Sequence, residues 1–501
     1  MSPVYQGQTC LPQAAAASTS SSSSSNATCT LGGFPSQVLN VTTVAQIQLA
    51  VNFARNTNLR LVIKNTGHDF LGKSAGAGAL SIWTHHLKSL EFLPSYKTAT
   101  GSYSGPAFRL GAGVNGYELH AAAKRNNVTA VTGECGGVGV AGGFSAGGGH
   151  SPLISKYGLG SDQVLSVDVV LPSGRFVTAS ETSEPDLFWA LRGGGGGTFG
   201  VVTSMTIKAH APTVVSGAAW TVTVGQGPGE VPEKIFWDAM YAYWRRFPGF
   251  ADAGSYGYSQ LFPTGAPGGY LWTMNPWLVP GMALAEYKVM IAPLLAEWEQ
   301  LGFKLAPEYF EEEDLYGVWP RLFPVETVSN ANLHVASRLF PRKTWTNTTD
   351  RDALFDTMRG IIQAGSALIQ YNFKADAPAG TPSSSANSHW RDALWFAIVG
   401  TQWGADQPDV EIEAANRKVS DDWMKRLRAF GPGTYGNEGD IMEPNFGEAF
   451  FGSNYPRLLQ IKRAVDPTDL FWVPTGVGSE GWKVQGKWDW LTTQTGRLCK
   501  L

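Results

Sequence analysis

The sequence predicts an α+β protein built from at least two units. Three observations carry this. Helix-period runs and β-branched, strand-like runs are mixed together from residue 42 to about residue 208. Past about residue 215 the texture changes to an aromatic-rich stretch containing Trp237, Tyr241, Tyr243, Trp244, Tyr256, Tyr258, Tyr270, Trp272 and Trp277. Three glycine-rich segments lie within the first 200 residues. A chain of 501 residues with 43% hydrophobic residues is long and apolar enough to bury two or three cores.

TTVAQIQLAVNFARNTN (42–58) reads as a helix: Thr43 and Gln46 have capping-box spacing, and Val44, Ile47, Val51 and Ala54 share one face. RLVIKN (60–65), ALSIWT (79–84) and FRLGAG (108–113) are strand candidates, and NGYELHAAAKRNN (115–127) is a second helix. VLSVDVVLPSGRFVTAS (164–180) places two β-branched runs around a Pro-Ser-Gly turn, a hairpin pattern. The acidic run Glu311, Glu312, Glu313, Asp314 is expected on a solvated helix face. ALIQYNFKA (367–375) alternates, with Ile369, Tyr371 and Phe373 on one side and Gln370 and Asn372 on the other. In NYPRLLQIKRAVDPTDLFW, Leu458, Ile461 and Val465 keep helical register up to the Asp466-Pro467 stop.

Composition excludes some classes. A net charge of −3 without a basic block argues against a nucleic-acid surface. No run of about 18 apolar residues is present, so no membrane-spanning helix is expected. Four sequons begin at Asn26, Asn40, Asn127 and Asn347, each able to accept glycan in the secretory pathway. Cys10 and Cys29 bracket an Ala/Ser tract that cannot form a core, and a disulfide closing that loop suits an oxidising compartment. The first thirty residues thus read as an extension. MSPVYQGQTC lacks the charged start and apolar segment of a signal peptide, so the expected secretion implies that the signal has been removed. His85-His86 has no third ligand at suitable spacing, and no metal site is expected.

The glycine-rich segments are GHDFLGKSAGAG (67–78), GECGGVGVAGGFSAGGG (133–149) and RGGGGGTFG (192–200). Such clusters mark tight turns or close approach of backbone to a ligand, and successive free N–H groups make concave anion sites that suit a diphosphate. Three in one α/β unit point to a nucleotide cofactor. Gly195-x-Gly197-x-x-Gly200 matches the dinucleotide fingerprint formally, but a helical LFWALR precedes it and a strand-like VVTSMTIKA follows it. That order is inverted, which excludes the NAD-binding turn. No P-loop is present either.

Taken together, the segments resemble the vanillyl-alcohol-oxidase superfamily of flavoproteins, in its berberine-bridge-enzyme-like branch and closest in the first loop to fungal isoamyl-alcohol-oxidase-like members. Lys64-Asn65-Thr66-Gly67-His68-Asp69-Phe70, with Ser74 beyond it, resembles the family's histidyl-flavin loop. The resemblance implies that His68 bonds the 8α carbon of FAD. A neutral imidazole is a competent nucleophile, and glycine beside it admits the ring system. Gly133-Glu-Cys135-x-x-Val138-Gly139 is similar to the segment that binds FAD a second time, through a cysteine at C6. In the family Val138 holds the position that governs oxygen access. Further FAD contacts implied by the resemblance are Gly142, Gly143, Gly148, Gly149, Tyr157, Gly158, Gly200 and Val202, together with Asn454 in the C-terminal signature Gly452-Ser-Asn454-Tyr455. The implied fold is a two-part FAD domain of the PCMH type, from 31 to 210 and from 435 to 501. Residues 211–434 form a substrate domain with an antiparallel sheet flanked by helices.

An alcohol oxidase needs a base near the hydroxyl. The family's base position lies either on the middle sheet or in the motif that here reads Tyr435-Gly-Asn437-Glu438-Gly-Asp440. Glu438 departs from the aromatic or histidine common there. Either Glu438 or Tyr435 is then the catalytic group, and Gln370 and Asn372 are further candidates to meet substrate or flavin. His150 follows a triple glycine, a position near a diphosphate, and His389-Trp-Arg391 is a candidate pocket element. The implied protein is a secreted, monomeric FAD-dependent oxidase that takes hydride from a small-molecule alcohol and reduces O2 to H2O2. Oxidative cyclisation or dehydrogenation of a secondary metabolite, or FAD binding without turnover, are the alternatives.

Overall fold

The structure, a computed structural model, describes residues 4–5, 7, 31–323, 332–404 and 407–501. The expected Cys10–Cys29 bridge and the Asn26 sequon lie outside the described residues.

The first layer is a small parallel sheet in which Leu80–Trp83 runs between Gln37–Asn40 and Leu61–Lys64. Parallel neighbours need a crossover, and the helix Val44–Thr57 supplies one. Its start is built as its sequence indicates: Gln46 N–H donates to Thr43 Oγ1 at 3.3 Å, and Thr43 N–H donates back to Gln46 Oε1 at 3.2 Å. Ile47, Ala50, Val51 and Ala54 are buried beneath it. Asn115 and Glu118 form a second capping box at the head of the helix Gly116–Arg125.

The second layer is a five-stranded antiparallel sheet in the order Leu90–Lys97, Ser104–Gly111, Val201–Lys208, Val164–Val170, Phe176–Ala179. The last two strands are the hairpin read at 164–180. The glycine turn at 192–200 is preceded by the helix Pro185–Ala190 and followed by the strand Val201–Lys208, the inverted order that excluded NAD.

The middle of the chain forms a seven-stranded sheet whose neighbours are all antiparallel. Its order is Glu308–Glu312, Val215–Val224, Tyr270–Pro280, Tyr256–Pro263, Ala367–Asn372, Ala393–Gln402, Leu333–Pro341. One face packs Trp220, Trp272 and Trp395 against Trp237, Trp298 and Phe355 of the flanking helices. The other face carries Tyr258, Tyr371, Phe396 and Ile398. Both faces are therefore covered, which explains the density of aromatic residues here. The acidic run departs from expectation: Glu311 and Glu312 end an edge strand, and Asp314 caps the helix Leu315–Leu322 by accepting from Gly317 N–H.

The helix Tyr455–Val465 returns to the glycine-rich half, where Leu458 and Ile461 pack in one cluster with Leu187, Phe188 and Phe199. Among the described residues no helix is long and apolar enough to cross a membrane. Asn40, Asn127 and Asn347 are exposed, and Asn347 caps the helix Thr348–Gln363.

Candidate active site

Between the glycine-rich loops and the seven-stranded sheet lies a cleft of about 1540 Å³, the open solvent at its mouth included. Its walls come from four places in the chain: the 65–74 loop, the 133–146 loop, the 195–200 turn and the 435–438 loop, with Ile369, Tyr371 and Ile398 projecting from the sheet above.

His68 and Cys135 meet at one end. Cys135 Sγ lies 3.9 Å from His68 Nδ1. Burial pushes the His68 imidazole below its ordinary pKa, so at neutral pH the ring is uncharged. Two loops hold the pair. Asp69 accepts from the Leu71 and Lys73 N–H groups at 3.0 and 2.9 Å and closes the first loop on itself. The second is stitched to the helix Gly116–Arg125, with Gly116 N–H donating to Val138 O at 3.1 Å and Tyr117 N–H to Gly136 O at 3.0 Å.

Glycine lets these loops come close without displacing their side chains. A Cβ on Gly137 would stand 2.8 Å from His68 Nε2, and one on Gly139 would stand 2.0 Å from Asn65 Nδ2. At Gly142 a Cβ would meet nothing within 4 Å, and at Gly197 only Val473 at 3.7 Å. Side chains there would enter the cleft. Thr198 Oγ1, on the same wall, is buried without a hydrogen-bond partner. Open backbone, an unsatisfied donor and the neighbouring His68 and Cys135 side chains fit a large nucleotide such as FAD.

The 435–438 loop reaches this floor by three bonds. Phe70 N–H donates to Asn437 O at 3.1 Å, Lys73 Nζ to Gly436 O at 2.9 Å, and Asn437 Nδ2 to Gly143 O at 2.8 Å. Glu438 is thereby set in the cleft wall, with Oε1 3.2 Å from His150 Nε2 and Oε2 buried without a hydrogen bond. Asn437 Nδ2 also donates to Tyr435 Oη at 2.8 Å. Burial first, then the Glu438 charge, pushes the Tyr435 phenol well above its ordinary range.

Several expected residues stand elsewhere. Gln370 and Asn372 do not meet the cleft; they turn to the helix-covered face of their strand. Gln370 accepts from Trp244 Nε1 at 2.9 Å and donates to Ser259 Oγ at 3.0 Å, while Asn372 Nδ2 donates to Leu394 O at 2.8 Å. The apolar side, with Ile369 and Tyr371, faces the cleft instead. Lys64, Gly148, Gly149, Tyr157, Gly158 and Asn454 are also absent from the wall. Lys64 Nζ sits over the Phe34 ring, and Tyr157 stacks on His210 at 3.8 Å. The carbonyls of Gly148 and Gly149 accept from Ser161 and Gly160 N–H in a turn, and Gly158 faces Asp162. Asn454 Nδ2 donates to Ala386 O at 2.9 Å. Trp390 of the helix His389–Asp392 is buried and Arg391 pairs with Asp162, so that segment braces the fold. The remaining expected contacts, Asn65, Thr66, Gly67, Asp69, Phe70, Ser74, Gly133, Val138, Gly139, Gly142, Gly143, Gly200 and Val202, all line the cleft.

The sequence reading missed Glu134 and set His150 near a diphosphate, whereas it stands by the 435–438 loop. His150 lies beneath the sheet beside Glu438, and Glu134 lies behind it, its Oε2 3.7 Å from His150 Nδ1. Glu134 stands between Gly133 and Cys135 in a segment already singled out, and a carboxylate inside a glycine loop is the signal that could have found it. Among the described residues no metal-binding cluster is present.

A glycine-walled cleft with this donor set defines a flavin-binding oxidoreductase, and comparison with known proteins places it further. Residues 35–180 match an FAD binding domain family and residues 434–478 the "Berberine and berberine like" family. The chain is 34% identical over 506 residues to the FAD-linked oxidoreductase ZEB1 of Gibberella zeae, covering 100% of this chain and 83% of the relative. It is 37% identical over 489 residues to the VAO-type flavoprotein oxidase VAO615 of Thermothelomyces thermophilus, covering 94% and 79%. The crystal structure of the VAO-type flavoprotein MtVAO615 from Myceliophthora thermophila superposes with a TM-score of 0.84 at 35% identity, covering 94% of this chain and 83% of that one. The chain belongs to the vanillyl-alcohol-oxidase superfamily, in its berberine-bridge-enzyme-like branch, and is an FAD-linked oxidoreductase.

Proposed function

We propose that this protein is a secreted, monomeric oxidase of apolar or aromatic alcohols, with FAD attached through both His68 and Cys135 and Glu438 as the base. The supporting observation is the position of Glu438: a carboxylate fixed in the cleft wall, hydrogen-bonded to His150 on one oxygen and unsatisfied on the other. Such a group can take a hydroxyl proton as the carbon–hydrogen bond breaks. Tyr435 is the weaker candidate, because a phenol whose pKa is pushed up stays protonated and serves as a donor. FAD held between these loops would supply the hydride acceptor and the route of electrons to O2, with H2O2 as product.

The sheet above the cleft supports the substrate class. Ile369 and Ile398 are cross-strand partners and, with Tyr371, form its cleft-facing surface. A sugar would leave hydroxyls unpaired against these isoleucines, whereas an apolar ring or chain would be desolvated favourably. Oxidative cyclisation is the second reading, favoured by the bifunctional decalin synthase calF of Penicillium decumbens, 32% identical over 507 residues.

The test is anaerobic mixing of the yellow protein with a panel of aromatic, aliphatic and sugar alcohols, followed by air. Bleaching by an apolar alcohol, then rapid recolouring with peroxide, is expected. Bleaching by sugars alone rejects the substrate class. Bleaching without reoxidation in air rejects the oxidase.

A further inference from the structure

Glu134 is buried, next in sequence to Cys135, and held by three hydrogen-bond donors. Tyr371 Oη donates to its Oε1 at 3.0 Å, Tyr256 Oη to its Oε2 at 3.5 Å, and Trp319 Nε1 to its carbonyl at 2.6 Å. His150 lies between it and Glu438, only 3% exposed. Among the groups facing His150 are these two carboxylates, the phenols of Tyr371 and Tyr435, and the apolar rings of Trp390 and Phe396.

We infer that Glu134 is a positioning residue acting through His150: its charge, facing Nδ1, holds the ring with Nε2–H donating to Glu438 Oε1, and so leaves Glu438 Oε2 as the atom that takes the proton. This rests on the reading of Glu438 as base. Nδ1 stands 3.7 Å from Glu134 Oε2, an ion-pair distance, and Nε2 stands 3.2 Å from Glu438 Oε1. No proton leaves the imidazole while Glu438 acts. Burial foremost, and the Glu438 charge with it, raise the Glu134 carboxyl against the opposing effect of His150. The two phenols keep the carboxyl in place.

The experiment is nitrogen-15 NMR of histidine-labelled holoprotein across pH, with H150Q identifying the His150 signals and peptide mapping reporting flavin content. Glu134→Gln is expected to keep the flavin and lower the His150 titration midpoint by about one pH unit, since a facing negative charge is removed. Glu134→Asp, which only retracts the carboxylate, is expected to lower it by less. An unchanged midpoint in both variants would overturn the inference, and Glu134→Asp alone decides if Glu134→Gln does not fold. No substrate is needed, so this outcome is independent of whether any alcohol reduces the flavin. With an alcohol that does reduce it, the pH profile of the reduction rate should move with the NMR midpoint.

Discussion

Asn437 Nδ2 donates to the Gly143 carbonyl at 2.8 Å, across 294 residues of chain, and so ties the loop carrying Glu438 to the glycine floor of the cleft. The same amide holds the Tyr435 phenol. The loop carrying Glu438 is thus fastened to the floor, which is what proton abstraction at a fixed distance would require.

Glu438→Gln removes the proposed base and keeps its shape. Flavin content should match the parent, while the rate of flavin reduction by an alcohol substrate falls by about 10²–10⁴. Stopped-flow absorbance checks this. An unchanged rate would transfer the role to Tyr435.

Gly137→Ala places a methyl group 2.8 Å from His68 Nε2. The imidazole must turn, so attachment at His68 should fall while attachment at Cys135 persists. Mass spectra of the two peptides read the outcome, and equal loss at both would show that the glycine serves the whole loop.

Lys462 is 2% exposed and donates to Asp466 Oδ2 at 2.6 Å, Phe471 O at 2.8 Å and Thr198 O at 2.9 Å. It joins the C-terminal helix to the glycine turn on the cleft wall. Lys462→Met leaves Asp466 buried without its cation and should destabilise the protein by about 3–5 kcal/mol. Urea unfolding measures this, and a change within ±0.5 kcal/mol would contradict it.

Acid should weaken the fold in a definite window. Burial lowers His120 from 6.5 to about 4, and His210 from 6.5 to about 4 with Lys208 and Lys156 assisting. Between those values the unfolded chain binds protons that the folded chain does not. The stability is therefore complete above pH 6.5 and is lost as pH falls toward 4, by at most about 3 kcal/mol per histidine. Melting temperatures should decline over that range, and the decline should flatten in a His120→Asn/His210→Asn variant. An equally steep decline in that variant would assign it to other groups.

The sequence carried the local rules well. Thr43 with Gln46 and Asn115 with Glu118 set two helix starts, and the glycine runs around His68 and Cys135 mark loops that do form the cleft wall. Long-range facts were less legible. Alternation in ALIQYN separated Gln370 from Tyr371 but could not say which side faced the cleft, because both faces of this sheet are buried and the polar side finds Trp244 and Ser259. His150 and Glu438 are 288 positions apart, and nothing local in the sequence joins them.

The most direct measurement is peptide mapping by mass spectrometry of the denatured, protease-digested yellow protein. The account predicts one flavin joining the peptides that contain His68 and Cys135, whose reactive atoms lie 3.9 Å apart. Flavin released free, with neither peptide modified, would contradict it.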